Sequence, residues 1–360
     1  MNFASDNSGP AAPQIMEALL QANQGHAASY GADSLMEIVE NEIRRQFEAP
    51  GARAFLVATG TAANALGLAC LCPPWSTIYC HRHSHVEEDE CGAPEFYTGG
   101  AKLTLLDGDH ARISPDSLRA ALAGAAPVGV HNVQRGVLSI TNATENGAVY
   151  SPADIACLTG LAREFGLPCH MDGARFANSL VSAGCSPAEM SWKAGIDMLS
   201  FGGTKNGLMG AEAVIIFDEG LAWEFELRRK RGGHLFSKHR FLSAQMAAYL
   251  ADGLWLSLAT SANRQADRLC RGLRELDMAS IDHPADANMV FVTMPRRLHR
   301  HALDSGGSYY LWPPSQTLDG DDDELLSARL VCNWSTSDAE VDGFLACLAG
   351  AGAQPSQDSR

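Results

Sequence analysis

Up to about residue 218, short apolar runs alternate with stretches of helical period. AFLVA (54–58), STIYCH (76–81), AKLTLL (101–106), PVGVHNV (127–133), GVLSIT (136–141), LPCHMD (167–172), IDMLSF (196–201) and EAVIIF (212–217) predict strands. TGTAANALGLACL (59–71) follows the first strand as a turn and a helix. SPADIACLTGLAREFG (151–166) has a Ser-Pro start, apolar residues at three-to-four spacing and a closing Gly, so it predicts a helix. Strands alternating with helices predict an α/β fold whose mostly parallel sheet is covered on both faces. The pattern then changes. Residues 220–275 predict one or more long helices, followed by strands at 287–294, 308–313 and 328–334 and a terminal helix at 337–350. The expected organisation is a large domain (1–247), a small C-terminal α+β domain (248–350) and a disordered tail (351–360), with DGDDDE (319–324) as a solvated loop.

Residues 54–78 carry no charge, but Gly60, Asn64, Gly67 and the Pro73-Pro74 pair make them a strand, a turn and a buried helix, not a membrane span. Hydrophobic residues make up 46% and charged residues 19%, which excludes disordered and collagen-like classes. With 27 basic and 42 acidic side chains the formal charge is −15, which disfavours nucleic acid and anionic membranes. Small molecules and other copies of the chain are the expected partners. Against that charge, RRKR (228–231) reads as a solvated or inter-subunit helix face. Ten cysteines without any Cys-x-x-Cys predict reduced thiols, hence a cytoplasmic protein. The start MNFASDNSGPAAP lacks the basic and apolar segments of a signal peptide.

SFGGTKNG (200–207) places Lys205 just past a predicted strand, after two glycines that permit close approach to the backbone. HMDGAR places Asp172 at the carboxyl end of another strand, with Arg175 three residues on. Asp172 and Lys205 are separated by about one strand–helix–strand unit, so both can converge at one sheet edge. A lysine that forms an imine and an aspartate that keeps a ring nitrogen protonated are what pyridoxal phosphate requires. In ATGTAAN, Gly60 and Thr61 lie at a strand-to-helix turn, where free N–H groups favour a phosphate. Arg175 suits the phenolic oxygen or a substrate carboxylate.

Through FASDNSGP, HVEEDECGAPEF, HMDGARFAN, SFGGTKNG and ARLVCNW, the chain resembles the low-specificity L-threonine aldolases over essentially its whole length. Those are pyridoxal-phosphate enzymes of the aspartate-aminotransferase fold (fold type I), with a seven-stranded, mostly parallel sheet and a small C-terminal domain. The resemblance implies that Lys205 bonds the cofactor, Asp172 partners its ring nitrogen, and Gly60 and Thr61 hold its phosphate. It also implies that His85 stacks on the ring, that Ser5 and Arg329 hold the substrate carboxylate, and that Arg175 lies by the phenolic oxygen and carboxylate. Arg240 would reach the phosphate of a neighbouring subunit, in a tetramer built as a dimer of dimers. The implied reaction cleaves L-threonine, L-allo-threonine and related β-hydroxy-α-amino acids to glycine and an aldehyde.

One stretch departs from the family. Many members carry a Glu-Asn-Thr-His segment, whereas this chain reads Asn142-Ala143-Thr144-Glu145, so Glu145 stands in place of the imidazole. His85 is the first choice for the base that takes the β-hydroxyl proton and Glu145 the second. The acidic run Glu87–Glu90 reads as partly solvated or structural. Other readings are an aldolase preferring phenylserine, a β-eliminating lyase or racemase of the same fold, and a non-catalytic scaffold. From a different class, His81, His83 and His85 alternate in CHRHSH and on a strand would share one face, as in a metal-dependent hydrolase. That reading lacks further ligands beyond His131 and His170, so no metal is expected.

Overall fold

The computed structural model describes residues 1–124 and 129–352. They form two compact units: Ala11–Glu145 with Val149–Leu256, and Met1–Pro10 with Asn146–Ala148 and the chain from Ser257 onward.

The first unit is built on seven strands: β1 (Arg53–Val57), β2 (Ser76–His81), β3 (Lys102–Leu106), β4 (Gln134–Thr141), β5 (Cys169–Gly173), β6 (Met198–Phe201) and β7 (Glu212–Ile216). Their order is β1-β7-β6-β5-β4-β2-β3. β3, β2, β4, β5 and β6 run parallel, and β7 is antiparallel to both β1 and β6. The expected strand at 127–133 is not formed where it is described. Gly129–His131 is a single 3-10 turn with exposed residues, and residues 127 and 128 lie outside the described residues.

The helices of this unit are α1 (Pro13–Ala22), α2 (Ser34–Gln46), α3 (Gly60–Leu71), α4 (His85–Glu88), α5 (Ala93–Thr98), α6 (Pro115–Gly124), α7 (Pro152–Glu164), α8 (Phe176–Ala183), α9 (Ala222–Arg231) and α10 (Arg240–Leu250). Helix α3 starts where the Thr59 hydroxyl accepts the Ala62 N–H at 3.2 Å, as an N-cap should. Its residues are uncharged and nine of its twelve are buried, as expected of a helix that is apolar all round. Leu66 and Leu68 join Val57, Ile78, Val137, Met198 and Val214 in one core under the sheet. The start of α7 carries a full capping box between Ser151 and Asp154.

The second unit holds β8 (Ser280–Ile281), β9 (Met289–Pro295), β10 (Tyr310–Leu311) and β11 (Leu325–Val331) in an antiparallel sheet of order β10-β11-β9-β8. The division between the units falls inside α11 (Leu254–Arg274). With α12 (Arg296–Asp304) and α13 (Asp338–Gly352), the sheet closes a core of Phe3, Leu269, Val292, Leu330 and Phe344. The first ten residues belong here: the Phe3 N–H donates to the Ser308 carbonyl at 2.7 Å, and its carbonyl accepts the Val331 N–H at 2.8 Å. The acidic loop 319–324 is not left to solvent alone. Arg300 pairs with Asp322, Arg297 with Asp323 at 3.2 Å and Arg296 with Glu324 at 2.7 Å. Of the expected tail, Ala351 and Gly352 close α13, and residues 353–360 lie outside the described residues.

Candidate active site

The carboxyl ends of β5 and β6 bring the first candidates together. Asp172 pairs in register with Thr141 on β4 and Ser200 on β6, and is 2% exposed. Its Oδ1 accepts the Ala174 N–H and its Oδ2 the Asn64 side-chain amide, both at 3.0 Å. Among the described residues no lysine or arginine lies within ion-pair distance of it. Lys205 sits half-buried in the 3-10 turn Thr204–Asn206 just after β6. That turn is pinned from below: the Asn206 amide donates to the Tyr249 hydroxyl at 2.7 Å and the Trp255 carbonyl at 2.8 Å. The two glycines before it are required by the protein's own packing. A Cβ at Gly202 would collide with the Ala174 carbonyl, and one at Gly203 with Leu208. The Gly203 N–H donates to Glu212 at 2.7 Å, and burial pushes that carboxyl up to about 7 against the pull of this bond and of the Lys205 charge.

A second group closes over Asp172. His85 opens α4, and its Nδ1 lies 2.9 Å from Glu90 Oε1. The Asn64 amide nitrogen donates to that same oxygen at 2.8 Å while also donating to Asp172. Asn64 therefore bridges two buried carboxylates. The Glu90 bond raises the His85 pKa, burial opposes it, the charges of Asp172 and Glu145 add to the rise, and Lys205 opposes it. Burial raises the Glu90 pKa, and its bonds to His85 and Asn64 offset part of the rise. The other Glu90 oxygen, Oε2, is buried without a hydrogen-bond partner. Of the acidic run, read as partly solvated or structural, Glu87, Glu88 and Asp89 face solvent, and Glu90 is turned inward.

The remaining candidates fall in different places. Gly60 and Thr61 form the first turn of α3, one turn ahead of Asn64, and a Cβ at Gly60 would meet open space. Arg175 is buried at the start of α8. Arg240, first in α10, donates to the Gly25 carbonyl at 3.0 Å. Ser5 and Arg329 lie in the second unit. The Ser5 hydroxyl accepts the Asn7 N–H at 3.1 Å, and the Arg329 guanidinium, on β11, lies 4.8 Å over the Trp312 ring.

The alternating histidines do not share a face, because β2 ends at His81. His81 Nε2 faces the Gly108 carbonyl at 3.1 Å and its Nδ1 accepts the His83 N–H, while exposed His83 pairs with Glu88. Of the three, only His85 reaches the cluster with Glu90 and Asp172, whose ligating atoms lie within 4.8 Å of one another. The Asn64 N–H groups already point into both carboxylates there, an arrangement that suits anions and disfavours a metal ion.

A family model described as beta-eliminating lyase matches residues 2–296. The low specificity L-threonine aldolase of Pseudomonas sp. (strain NCIMB 10558) is 38% identical over 339 residues, 94% of each chain. The protein of the same name from Pseudomonas aeruginosa is 39% identical over 334 residues, 93% of each chain. The chain belongs to the low-specificity L-threonine aldolase family. The threonine aldolase structure from Leishmania major superposes with a TM-score of 0.90 at 25% identity, over 98% of this chain and 99% of that one. The architecture is thus the pyridoxal-phosphate fold type I expected from the motifs.

Within this aldolase family framework, two residues of the site escaped sequence reasoning. Asn64 carried a signal, being the one amide in an otherwise apolar, uncharged helix. Glu90 carried almost none: its three acidic neighbours are solvated, and its five-residue spacing from His85 matches no regular helix contact.

Proposed function

We propose that this chain is a pyridoxal-phosphate-dependent aldehyde-lyase that cleaves the Cα–Cβ bond of L-threonine, L-allo-threonine and related β-hydroxy-α-amino acids, giving glycine and an aldehyde. The observation that carries it is Asp172: a carboxylate 2% exposed, held by an amide and a backbone N–H, with no guanidinium or ammonium beside it among the described residues. A buried carboxylate in that state calls for a cation from a ligand, and a protonated pyridine nitrogen supplies it. The names of the relatives support the substrate.

In this reading Lys205 Nζ holds the cofactor covalently, and the N–H groups of Gly60 and Thr61 receive its phosphate at the positive end of α3. Asp172 keeps the proton on the ring nitrogen and Arg175 serves the phenolic oxygen. Bound there, pyridoxal phosphate supplies an electron sink for the pair left on Cα. Ser5 and Arg329 bind the substrate carboxylate, the fork of a guanidinium matching its two oxygens. His85 stacks over the ring, and its Nε2 takes the β-hydroxyl proton. As that O–H bond breaks, its electron pair forms the aldehyde C=O and the Cα–Cβ pair stays on Cα. Glu145, whose charge acts on His85, steadies the imidazolium. A proton is then delivered to Cα, where the retained pair forms the second C–H bond of glycine, and His85 gives up the proton it took.

Assembly and location belong to the same proposal: a homotetramer of two dimers, in which Arg240 serves the neighbour's phosphate, in the cytoplasm. Phe96 at 78% and Trp223 at 68% exposure in the single chain support association. Ten unpaired cysteines support a reducing compartment.

Lys205→Ala tests the reading. The variant is expected to lose the visible absorbance of bound cofactor and all measurable cleavage of threonine, with an unchanged circular dichroism spectrum. Wild-type turnover in that variant would end the assignment. Because the matching family model is one of beta-eliminating lyases, the assay includes L-serine, from which pyruvate would mark elimination. Threonine, allo-threonine and phenylserine in parallel define the aldehyde side.

A further inference from the structure

The segment after His85 is folded in a way that the reaction as described leaves unexplained. Helix α4 stops at Glu88, and Cys91 and Gly92 then both take left-handed conformations, with φ of 52° and 73°. For Cys91, a residue with a side chain, that conformation is unfavourable. The reversal carries Glu90 inward under His85 while its three acidic neighbours stay outside. Its side chain is fully buried, and Oε1 accepts from Asn64 Nδ2 at 2.8 Å and lies 2.9 Å from His85 Nδ1. An ionised carboxylate can only accept, so with Glu90 charged Nδ1 is the protonated nitrogen and Nε2 carries the imidazole lone pair. Among the described residues, Nε2 has no hydrogen-bond partner.

We propose that Glu90 is the positioning residue for His85: by accepting Nδ1–H it fixes one tautomer and one ring orientation, and presents the Nε2 lone pair to the substrate's β-hydroxyl. When that proton arrives at Nε2, the imidazolium keeps Nδ1–H on the Glu90 carboxylate, which balances the new charge. Asn64, bonded to both carboxylates, holds Glu90 in register with Asp172. The groups facing His85 are Glu90, Asp172 and Glu145, which favour its protonated form, and Lys205, which opposes it. Removing the Glu90 charge therefore lowers the His85 pKa and weakens it as a base.

The inference rests on the retro-aldol reading, but its first test needs no turnover. In cofactor-free protein carrying 15N-labelled histidine, with His85→Asn identifying the resonance, wild-type His85 is expected as the Nδ1–H tautomer with a midpoint above 6.5. An Nε2–H tautomer in the wild type overturns the proposal without any variant. In Glu90→Gln the midpoint is expected to fall by about one unit or more. In the holoenzyme the rising limb of the kcat–pH profile then moves to lower pH, since less basic imidazole is already neutral there. kcat for threonine falls between about 10²- and 10⁴-fold, with KM changed less than about threefold. Glu90→Asp, which restores the charge but not the reach, recovers part of both effects. An unmoved midpoint and pH profile in Glu90→Gln would overturn the role. Absence of threonine cleavage in the wild type would instead overturn the function reading and leave the tautomer result standing.

Discussion

In the loop 319–324 of the second unit, Asp322, Asp323 and Glu324 each meet a guanidinium from α12, and all three remain more than half exposed. In the first unit Glu90 and Asp172 are almost wholly buried, and the groups bonded to them are an amide, an imidazole and a backbone N–H. The pairs of Asp322 and Asp323, whose arginines are also partly exposed, contribute about 0–1 kcal/mol each and are readily replaced, whereas Arg296 is nearly buried. Buried carboxylates without a full counter-charge cost several kcal/mol, and folding alone gives no reason to keep them. The loop's carboxylates each have an arginine, whereas among the described residues Asp172 and Glu90 have neither lysine nor arginine within ion-pair distance. On the proposed reading, the cofactor's ring nitrogen brings the complement to Asp172.

The sharpest way to break this contrast is Asp172→Asn. On the proposed reading the lost charge is the partner of the ring nitrogen, so kcat for threonine cleavage is expected to fall by about 10²-fold or more. The cofactor-free variant loses a buried charge but sets its new NH2 against one of the two donors, so the two effects oppose and its melting temperature is expected to change little. A large drop in melting temperature with activity retained would make Asp172 a structural residue.

A smaller effect concerns His170, two residues before Asp172 on β5. It is fully buried between the Ser139 hydroxyl at 3.0 Å and the Ser200 hydroxyl at 3.1 Å, and burial pushes its pKa down to about 4. The unfolded chain takes up this proton near pH 6.5 and the folded chain only near 4. The unfolded state thus binds more protons in that window, and stability is lost as pH falls through it. Urea unfolding is expected to show about 2 kcal/mol of loss from this group between pH 7 and pH 5, and His170→Gln should flatten that slope.

The smallest effect belongs to the loop. Asp322→Asn breaks a pair with Arg300 whose side chains are 36% and 57% exposed. Its unfolding free energy should fall by less than about 1 kcal/mol, the difference should vanish in high salt, and threonine cleavage should stay within twofold. A larger loss would mean that the loop carries more than solvated ion pairs.

Much of this architecture is legible in the chain. The strands that hold Asp172 and precede Lys205 are short, fully buried segments ended or followed by glycine, and such strands alternating with helices mark a parallel sheet whose carboxyl ends meet. The uncharged stretch from 54 to 78 reads correctly as a strand and a buried helix. The failures have physical causes. CHRHSH looks like a strand of alternating histidines, but the chain turns after His81, whose ring takes up bonds to backbone and leaves the pattern without meaning. Glu90 hides among residues of like charge, and only a pair of left-handed residues decides which of them turns inward. Local composition cannot register that choice.

The contact at Gly202 reaches beyond packing. Its N–H donates to the Gly173 carbonyl at 2.9 Å, and its Cα lies so close to the Ala174 carbonyl that no side chain fits between. The segment that carries Lys205 and the segment that carries Asp172 are therefore packed as one floor, with their spacing set by the gap between two neighbouring strands. Mutation cannot shift one against the other by small steps, because the smallest side chain already forces them apart. Change in which aldehyde is released has to come from the walls, such as the stretch that ends in Glu145. Such a fold inherits its chemistry whole and varies its diet.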